Sequence, residues 1–494
     1  MTQTTFVGRR TEMALLDSLW ASPAATMLIL YGRRRVGKTR LLTQWLQRSG
    51  KRTLYWVAEP SSAADQLRSF SQAIYNFAHP EHPAPDDFTF ASWPQAWQQV
   101  VDLTAQEGLA LFLDEFTYLL EVDASIAGKL QNNWDHVLSQ ANLFLVLSGS
   151  HLGMMQRQLL SYQAPLYGRA TAQMKLQPLP FGVTKAYFPG YRADERVAVY
   201  ALLGGIPAYW ERLNPQATIS DNIRQQLLTP NNLMQAEPRL LLADFVTEPH
   251  NYVGILGAIA HGARTQSEIA TRTGLAQGHV SKYLSVLRDA GFIERRIPVT
   301  AEETTRQGRY HIVDPYLRFY YRFLATRQAQ LALGIQEQAL AEITRHLLDF
   351  IGAHTWEELC REWVLRASSA GQLPYLVDQV GSSWTKTSQV DIVGINALEK
   401  TLILGECKWS PKQMGHDVLM DLVAKTASVV PRSGRWRVYY LSFAGGGWEQ
   451  EANELAWSIT AQPPRGDNWA AEGMRLLDLQ QVDEDLVRWE GSAI

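Results

Sequence analysis

The stretch Leu28-Ile-Leu-Tyr-Gly-Arg-Arg-Arg-Val-Gly-Lys-Thr39 decides how the first part of this chain folds. The apolar run Met27–Leu30 predicts a buried strand, and the amphipathic run Arg40–Leu46 predicts a helix. Between them, residues Gly32–Thr39 fit the pattern G-x-x-x-x-G-K-[ST]. A strand, a glycine-bounded loop and a helix in this order are the context in which that pattern binds phosphate.

Elementary chemistry explains why such a loop selects phosphate. Glycines let the backbone curl so that successive N–H groups point at one phosphate, and the following helix adds the positive end of its dipole. In this pattern Lys38 contacts the β- and γ-phosphates, and the Thr39 hydroxyl is a ligand of Mg²⁺. The sequence therefore predicts a site for ATP and Mg²⁺. The residues assigned to it are Gly32, Arg33, Arg34, Arg35, Val36, Gly37, Lys38, Thr39 and Arg40.

A second apolar run, Leu109–Leu113, ends in two carboxylates, Asp114 and Glu115. Ligands of open α/β sheets bind at the carboxyl ends of the strands, where these two side chains would lie. We expect Asp114 to hold the Mg²⁺ water shell and Glu115 to orient or deprotonate the attacking water. A strand that ends in a solvated turn is the alternative.

A third apolar run, Leu143–Leu147, is followed by Ser148 and Ser150. As a strand of the same sheet it would bring one of these hydroxyls to the γ-phosphate. A plain strand-to-helix N-cap explains the two serines equally well.

Bulk composition limits the classes of protein to consider. The chain has 494 residues, enough for two to four domains with apolar cores. Its formal net charge of −3 means that any nucleic-acid surface must be local. Two cysteines, Cys360 and Cys407, are too few for a disulfide framework or a zinc cluster. Because Met1–Phe6 lacks signal-peptide features and no apolar run could cross a bilayer, we expect a cytoplasmic protein without a membrane partner.

The middle of the chain has the pattern of a winged helix. Ser267–Thr273 and Gly278–Ala290 are predicted helices around a turn at Gly274, and Ile293–Val299 and Arg309–Val313 are predicted wing strands. In a DNA-binding protein the second helix enters the major groove. The side chains that would face DNA are His279, Ser281, Lys282 and Ser285.

The last third places carboxylates at the edges of predicted elements. In the helix that contains Thr355–Val364, Glu357 borders the apolar stripe and is placed to face a sheet, whereas Glu358 points to the far side. Asp391 lies on the predicted strand Gln389–Ile395.

The next predicted strand, Thr401–Trp409, carries Glu406 and Lys408 on one face, because side chains alternate along a strand. With Asp391, two carboxylates and one ammonium make a candidate Mg²⁺ site with a group that positions a nucleophile. Lys425 is a candidate phosphate contact. A half-buried strand pair with edge charges, and a solvated helix lysine, are the alternatives.

Four short motifs accompany the phosphate loop: Leu113–Phe116, Gly149–Ser150, Pro165–Arg169 and Gly204–Pro207. With them the chain resembles the archaeal-type ATPase family, of the STAND (signal-transduction) class of P-loop ATPases. The resemblance implies that Pro207 contacts the nucleotide base and that Arg169 senses phosphate. A surface ion pair is the more ordinary role for such an arginine.

Residues 345–445 resemble the PD-(D/E)xK restriction-endonuclease-like superfamily, which that ATPase family often carries as a C-terminal domain. The resemblance rests on Glu357, Asp391 and the Glu406-x-Lys408 motif in that order. It implies metal-dependent cleavage of nucleic acid, with Asp391 and Glu406 as metal ligands. Winged helices in STAND-class ATPases also often serve as lids. Because the recognition helix carries few cations, we favour a lid or domain-coupling role over DNA binding.

The sequence thus predicts a multidomain α/β protein in four parts. These are a P-loop ATPase domain (1–180), a helical lid segment (181–250), a winged helix (251–325) and an α/β nuclease-like domain (326–494). We expect ATP to control a Mg²⁺-dependent site that acts on nucleic acid, DNA rather than RNA. A non-cleaving, ATP-dependent DNA-binding or signalling regulator is the rival. STAND-class relatives often assemble when activated, so a homo-oligomer is a further expectation.

Overall fold

The computed structural model of this protein describes residues 6–243, 245–246 and 249–492. They divide into two compact units, residues 6–179 with 206–208 and residues 180–205 with 209–492. Most of the N-terminal segment considered above, Met1–Thr5, lies outside the described residues. No helix of the described ranges is long and apolar enough to cross a membrane. The finer division at residues 180, 250 and 325 stays a prediction.

The first unit is a parallel sheet with helices between its strands. The strands are β1 (Thr26–Tyr31), β2 (Thr53–Val57), β3 (Leu109–Asp114), β4 (Leu143–Gly149) and β5 (Ala172–Lys175). The helices are α1 (Arg10–Trp20), α2 (Lys38–Ser49), α3 (Ala63–Ala78), α4 (Trp93–Thr104), α5 (Thr117–Val122), α6 (Ile126–His136) and α7 (Leu152–Met155). The strands lie in the order β2-β3-β4-β1-β5, and every neighbouring pair is parallel. Strands β1, β3 and β4 are almost wholly buried, as apolar runs in a parallel sheet should be.

Because all five strands run in one direction, the carboxyl ends of β1, β3 and β4 meet at one edge of the sheet. The phosphate loop, the Asp114-Glu115 pair and the two serines follow these three ends. The predicted P-loop sheet is confirmed.

The second unit begins with short helices that lead to the winged helix. They are α8 (Thr184–Tyr187), α9 (Ala193–Leu203), α10 (Pro207–Trp210, whose first two residues belong to the first unit), α11 (Ile219–Asn222), α12 (Leu233–Ala243) and α13 (His250–Ala260). Single turns of tighter or wider helix lie at Leu138–Gln140, Gln156–Leu160, Phe181–Val183, Ile223–Leu227, Tyr320–Leu324, Ala325–Arg327 and Ile351–Trp356.

The winged helix is present as predicted. It consists of α14 (Gln266–Thr273), α15 (Gln277–Asp289) and the antiparallel strands β6 (Ile293–Arg296) and β7 (Arg309–Ile312). Gly274 makes the turn in the left-handed region at φ 71°, and a capping box of Thr265 and Glu268 starts α14. Its small core includes Ile269, Val280, Leu284 and Leu287, which are all buried.

Helices then connect the winged helix to the C-terminal sheet. They are α16 (Pro315–Phe319), α17 (Gln328–Ala332), α18 (Gln336–Phe350) and α19 (Glu357–Ser369). Helices α17 and α18 are separated at Gly334, which adopts φ 76°. Phe319 and Phe323 are buried, and their ring centroids lie 6.2 and 5.4 Å from that of Phe350, so these aromatic rings pack against the connecting helices.

The C-terminal sheet is mixed. Its strands are β8 (Gln379–Trp384), β9 (Gln389–Asn396), β10 (Thr401–Lys408), β11 (Trp436–Ala444) and β12 (Trp469–Asp478), with helices α20 (Asp417–Val429), α21 (Gln450–Ala461) and α22 (Leu479–Ser492). The order is β12-β11-β10-β9-β8. Strands β10, β11 and β12 are parallel, whereas β9 is antiparallel to both β10 and β8.

Candidate functional sites

The phosphate loop needs both of its glycines. Gly37 adopts φ 101°, a region that residues with a side chain rarely enter. A Cβ on Gly32 would lie 2.7 Å from the carbonyl oxygen of Leu176, so a side chain has no room there. A Cβ on Gly37 would lie 3.9 Å from Cγ of Pro207, which places Pro207 beside the loop. The base contact implied for Pro207 stays a prediction.

Helix α2 begins at Lys38, directly after the loop, and its N-cap residue is Gly37, which has no side chain to cap the first N–H groups. Helix starts of this kind attract anions. The Lys38 ammonium is buried and donates to the carbonyl oxygen of Gly32, 3.1 Å away. Burial lowers the pKa of Lys38, while the charges of Glu115 and Asp114 oppose that shift. The ammonium therefore lies against the loop, facing the two carboxylates.

Asp114 receives two hydroxyl groups. Thr39 Oγ1 donates to Asp114 Oδ2 at 2.7 Å, and the Tyr55 hydroxyl donates to the same oxygen at 2.5 Å. The predicted pair of Mg²⁺-binding residues is thus in direct contact. Tyr55 was not predicted, because a tyrosine in an apolar strand is typical of packing. Burial and the Asp114 charge raise its pKa, so the hydroxyl stays a donor.

Glu115 has a backbone φ of 51°, in the left-handed region. Its carboxylate Oε2 accepts a hydrogen bond from Ser150 Oγ at 2.7 Å. Ser148 is fully buried, and no described residue forms a hydrogen bond with its hydroxyl. His151, not a serine, caps α7, because its Nδ1 accepts from the N–H of Met154 at 3.2 Å. The N-cap alternative for the serines is therefore wrong.

Two arginines complete the description of this site. Arg169 pairs with Asp135 at 2.8 Å, the surface ion pair given above as its ordinary role. Its phosphate-sensing role stays a prediction. Arg9 was not predicted: it is buried, and its Nη2 donates to the carbonyl oxygen of Val36 inside the loop at 3.0 Å. Arg9 thereby holds the backbone of the phosphate loop in place with one hydrogen bond.

The residues of this edge fit ATP and Mg²⁺. The uncapped start of α2 and the glycine loop suit phosphates, Thr39 and Asp114 offer oxygen ligands, and the buried Ser148 hydroxyl lacks a partner among the described residues. Bound Mg²⁺ would supply positive charge against the phosphate oxygens.

The winged helix exposes one face of α15 to solvent, while its wing contacts the C-terminal sheet. His279, Ser281, Lys282 and Ser285 are exposed on α15. Arg288 Nε lies 3.7 Å from Asp289 Oδ1, so these two charges offset each other and α15 offers little net positive charge. DNA binding by this helix stays a prediction.

The wing, by contrast, contacts the C-terminal sheet. The N–H of Val299 donates to the carbonyl oxygen of Ser382 on β8 at 3.0 Å. The indole N–H of Trp384 donates to the carbonyl oxygen of Gln307 at 3.0 Å, and the Arg309 guanidinium lies 4.6 Å from the Trp384 ring centroid. The wing strands are shorter than predicted: β6 ends at Arg296 instead of Val299, and β7 ends at Ile312 instead of Val313. The backbone of Val299 pairs with β8 and not with β7.

Glu358 joins the winged helix to α19. Its two oxygens accept from Arg318 at 2.9 and 2.8 Å, and Arg296 of β6 donates to it at 2.9 Å. Burial would raise the pKa of Glu358, but the two guanidinium groups outweigh burial and lower it to about 2. The predicted far side of this helix is therefore a docking contact for β6.

The C-terminal acidic site combines residues of three elements. Lys408 Nζ lies 2.9 Å from Glu406 Oε2 and 3.9 Å from Asp391 Oδ2. Lys425 Nζ lies 2.8 Å from Glu406 Oε1, so both oxygens of Glu406 face ammonium groups. Burial and the Asp391 charge raise the pKa of Glu406. The N–H of Cys407 donates to Asp391 Oδ2 at 3.2 Å.

Glu357 does not join this group. Arg361, one turn further along α19, binds the Glu357 carboxylate at 2.5 Å and donates through Nε to the backbone carbonyl of Asp391 at 3.2 Å. Among the described residues, no cluster of three or more His, Cys, Asp or Glu side chains could hold a metal ion. The acidic site therefore offers two carboxylates, Asp391 and Glu406. Their mutual repulsion is what a divalent cation would relieve, and to that extent they fit Mg²⁺.

Comparisons with known proteins agree with these parts. Residues 6–213 match the family described as an ATPase domain predominantly from Archaea. The chain contains an archaeal-type P-loop ATPase domain. Residues 249–301 match the MarR family, and residues 320–418 match a family described as archaeal and bacterial proteins of unknown function. The last match covers Glu357, Asp391, Glu406 and Lys408.

Individual relatives extend the likeness. An uncharacterized protein of Methanocaldococcus jannaschii is 27% identical over 404 residues, which cover 82% of this chain and 87% of the relative. An uncharacterized ATP-binding protein of the same organism is 48% identical over 42 residues, 8% of this chain and 71% of that protein. The Walker-type ATPase of Pyrococcus abyssi is similar in structure, with a TM-score of 0.50 and 18% identity, and the match covers 64% of this chain and 96% of that one. It shows a shared fold.

Proposed function

We propose that this chain binds and hydrolyses ATP at the carboxyl edge of its parallel sheet, and that ATP controls a second site in the C-terminal domain. The observation that carries the first part is the convergence on one edge of Lys38, the Thr39–Asp114 pair and the Glu115–Ser150 pair. Packing of a hydrophobic core does not require an ammonium, two carboxylates and two hydroxyls at the ends of buried strands.

Each group has a separate role in this proposal. The N–H groups of the loop and α2 bind the phosphates, and Lys38 neutralises charge on the β- and γ-phosphates. Thr39 and Asp114 hold Mg²⁺. Glu115 orients the attacking water and accepts its proton, while Ser150 fixes the Glu115 carboxylate through the 2.7 Å hydrogen bond.

The test is ATP hydrolysis by the full chain and by Lys38→Ala. We expect turnover to fall to background, because the ammonium that neutralises the phosphates is lost. Lys51→Ala is the matched control, since Lys51 is an exposed lysine of the same unit. If the Lys38→Ala variant still hydrolyses ATP and the Lys51→Ala variant does not, the ATP site is not at the phosphate loop.

For the second site we propose Mg²⁺-dependent action on nucleic acid, DNA rather than RNA. The supporting observation is that the carboxylates of Asp391 and Glu406 lie within 3.9 Å of the same ammonium, Lys408. Two carboxylates can hold a metal that polarises a phosphodiester, and the lysine can position the nucleophile. Lys425 is the proposed phosphate contact. Glu357 acts only through Arg361, as a positioning residue.

A cleavage assay with Mg²⁺ or Mn²⁺ tests this part. Asp391→Ala and Lys408→Ala should abolish cleavage of DNA, whereas Lys412→Ala, which removes an exposed lysine just past the strand, should not. If the first two variants match the wild type on every DNA and RNA offered, the nuclease role is refuted.

The rival function is a non-cleaving regulator that binds DNA through α15. It is supported by the exposed side chains on this helix, which are His279, Ser281, Lys282 and Ser285. Gel-shift assays with Lys282→Ala decide it: weaker DNA binding without any cleavage by the wild type supports the rival. The proposed homo-oligomer on activation is tested by light scattering with and without ATP.

A further inference from the structure

A cavity of about 60 Å³ lies between the winged helix and the helices that follow it. Its lining combines Arg264, Arg318, His311 and His354 with the apolar side chains of Ile259 and Phe350. The cavity is remote from the phosphate loop in sequence, and nothing proposed above uses it. Four nitrogen-bearing side chains around one small cavity call for an explanation.

The positive charge in the lining is not fully neutralised. Arg318 is 4% exposed, and Glu358 binds its two terminal nitrogens, but its Nε has no hydrogen-bond partner among the described residues. Arg264 is half-buried, and within the described ranges no carboxylate forms an ion pair with its guanidinium. Glu358 is already shared with Arg296, so the cavity keeps an excess of positive charge.

The two histidines of the lining are neutral and add no charge to the cavity. Burial, followed by the charges of nearby arginines, lowers the pKa of His311 to about 2 and that of His354 to about 3. A neutral imidazole carries one N–H. Nδ1 of His354 lies 3.4 Å from the backbone carbonyl oxygen of Phe350 and donates its N–H there, whereas the N–H of His311 can donate to a ligand in the cavity. The acidic groups nearest this region are Glu357 and Glu358, which Arg361, Arg318 and Arg296 bind. A third, Glu268, accepts the backbone N–H groups of Arg264 and Thr265 at 2.7 and 2.9 Å.

We propose that this cavity binds a phosphate-class oxyanion, either inorganic phosphate or the terminal phosphate of a nucleotide. A cavity needs about 10–15 Å³ to hold one water, so about 60 Å³ accommodates a tetrahedral ion with four oxygens. A planar guanidinium group can donate hydrogen bonds to two oxygens of such an ion at once. The ion would neutralise Arg264 and give the Nε of Arg318 an acceptor.

An oxyanion here would bind the winged helix to the connector. Arg264 lies just before α14 and His311 lies on β7, whereas Arg318 lies on α16 and His354 lies in the helical turn before α19. Occupancy would therefore strengthen the contact that Glu358 makes between the same two parts. This role is independent of ATP hydrolysis and of nucleic-acid cleavage.

The test is calorimetric titration of the full chain with inorganic phosphate, and in parallel with adenosine monophosphate. All proteins carry Lys38→Ala, which removes phosphate binding at the loop of the first unit. We expect Arg264→Gln to weaken binding about tenfold or more, because it removes a charge-assisted hydrogen bond. Arg345→Gln, which removes an arginine whose side chain is 71% exposed, should leave the affinity unchanged.

Binding of inorganic phosphate alone identifies the free ion, and equal binding of adenosine monophosphate identifies a nucleotide phosphate; both support the proposal. The absence of heat with both probes overturns it, as does equal affinity of Arg264→Gln and Arg345→Gln. Circular dichroism checks folding. If Arg264→Gln unfolds, Arg264→Lys replaces it, with a smaller loss of affinity expected because lysine keeps the charge but not the planar fork.

Discussion

The replacement Glu358→Gln should release β6 of the winged helix from α19. The carboxylate accepts from Arg318 and Arg296, and these contacts lower its pKa from the ordinary 4.5 to about 2. One pKa unit corresponds to 1.36 kcal/mol, so the charged form stabilises the folded state by about 3 kcal/mol. The Glu358 side chain is 29% exposed, and solvent screening reduces this to about 2–3 kcal/mol.

Amide hydrogen exchange measures this loss of stability separately for β6 and for α19. Amides of β6 and α19 should open more easily in Glu358→Gln, by about 2–3 kcal/mol, and thus exchange roughly 30- to 150-fold faster. Glu362→Gln is the matched control. Glu362 lies on the same helix and is also 29% exposed, but it pairs within the helix with Arg366. Because burial raises its pKa, its charged form stabilises little, and we expect less than about 0.5 kcal/mol.

The pH dependence has a definite sign. The pKa of Glu358 is lower in the folded than in the unfolded chain, so its contribution is complete above about pH 4.5 and disappears as the pH falls towards 2. The difference in exchange between wild type and Glu358→Gln should therefore shrink on acidification. If Glu358→Gln and Glu362→Gln exchange alike in β6, or if the difference is undiminished at low pH, the ion-pair argument is refuted.

Three further predictions concern the nucleotide site. Glu115→Gln should slow ATP turnover about 10²- to 10⁴-fold and spare ATP binding, since it removes a general base, and steady-state turnover with calorimetry checks both. Tyr55→Phe should slow turnover about tenfold at saturating ATP, because Asp114 loses a charge-assisted hydrogen bond. Gly37→Ala should weaken ATP binding about tenfold, because alanine is strained at φ 101°. The control is Gly50→Ala, at φ 60° beyond the other end of α2, which should leave ATP binding unchanged.

The sequence was sufficient for features that depend on local order. The strand, the loop and α2 follow one another along the chain, so the phosphate loop could be predicted from the run Leu28–Thr39 alone. The helix-turn-helix was predictable for the same reason, because capping and periodicity act within a few residues.

Features that depend on which strands are neighbours were missed. Tyr55 reaches Asp114 only because β2 lies beside β3, with Val57 opposite Asp114 in the register. Arg9 reaches the carbonyl of Val36 across 27 residues of sequence. Neither residue type is diagnostic in its local context, so no pattern within one segment could assign them.

The acidic site shows the same limit at the level of side chains. Helical periodicity correctly gave Glu357 and Glu358 different faces. It could not show that Arg361 would bind the Glu357 carboxylate, because that depends on which rotamer the long arginine adopts. The docking partners of Glu358 come from residues 296 and 318, which no helical pattern of α19 contains.

The wing and the acidic site are joined by a continuous path of hydrogen bonds. Arg309 at the start of β7 donates to the side-chain oxygen of Gln389 at 3.1 Å, and the side-chain nitrogen of Gln389 donates to Asp391 Oδ1 at 3.3 Å. A shift of the wing would therefore reach the Asp391 carboxylate through two side chains. The coupling role predicted for the winged helix therefore has a physical route to the acidic site that needs neither the exposed face of α15 nor bound DNA.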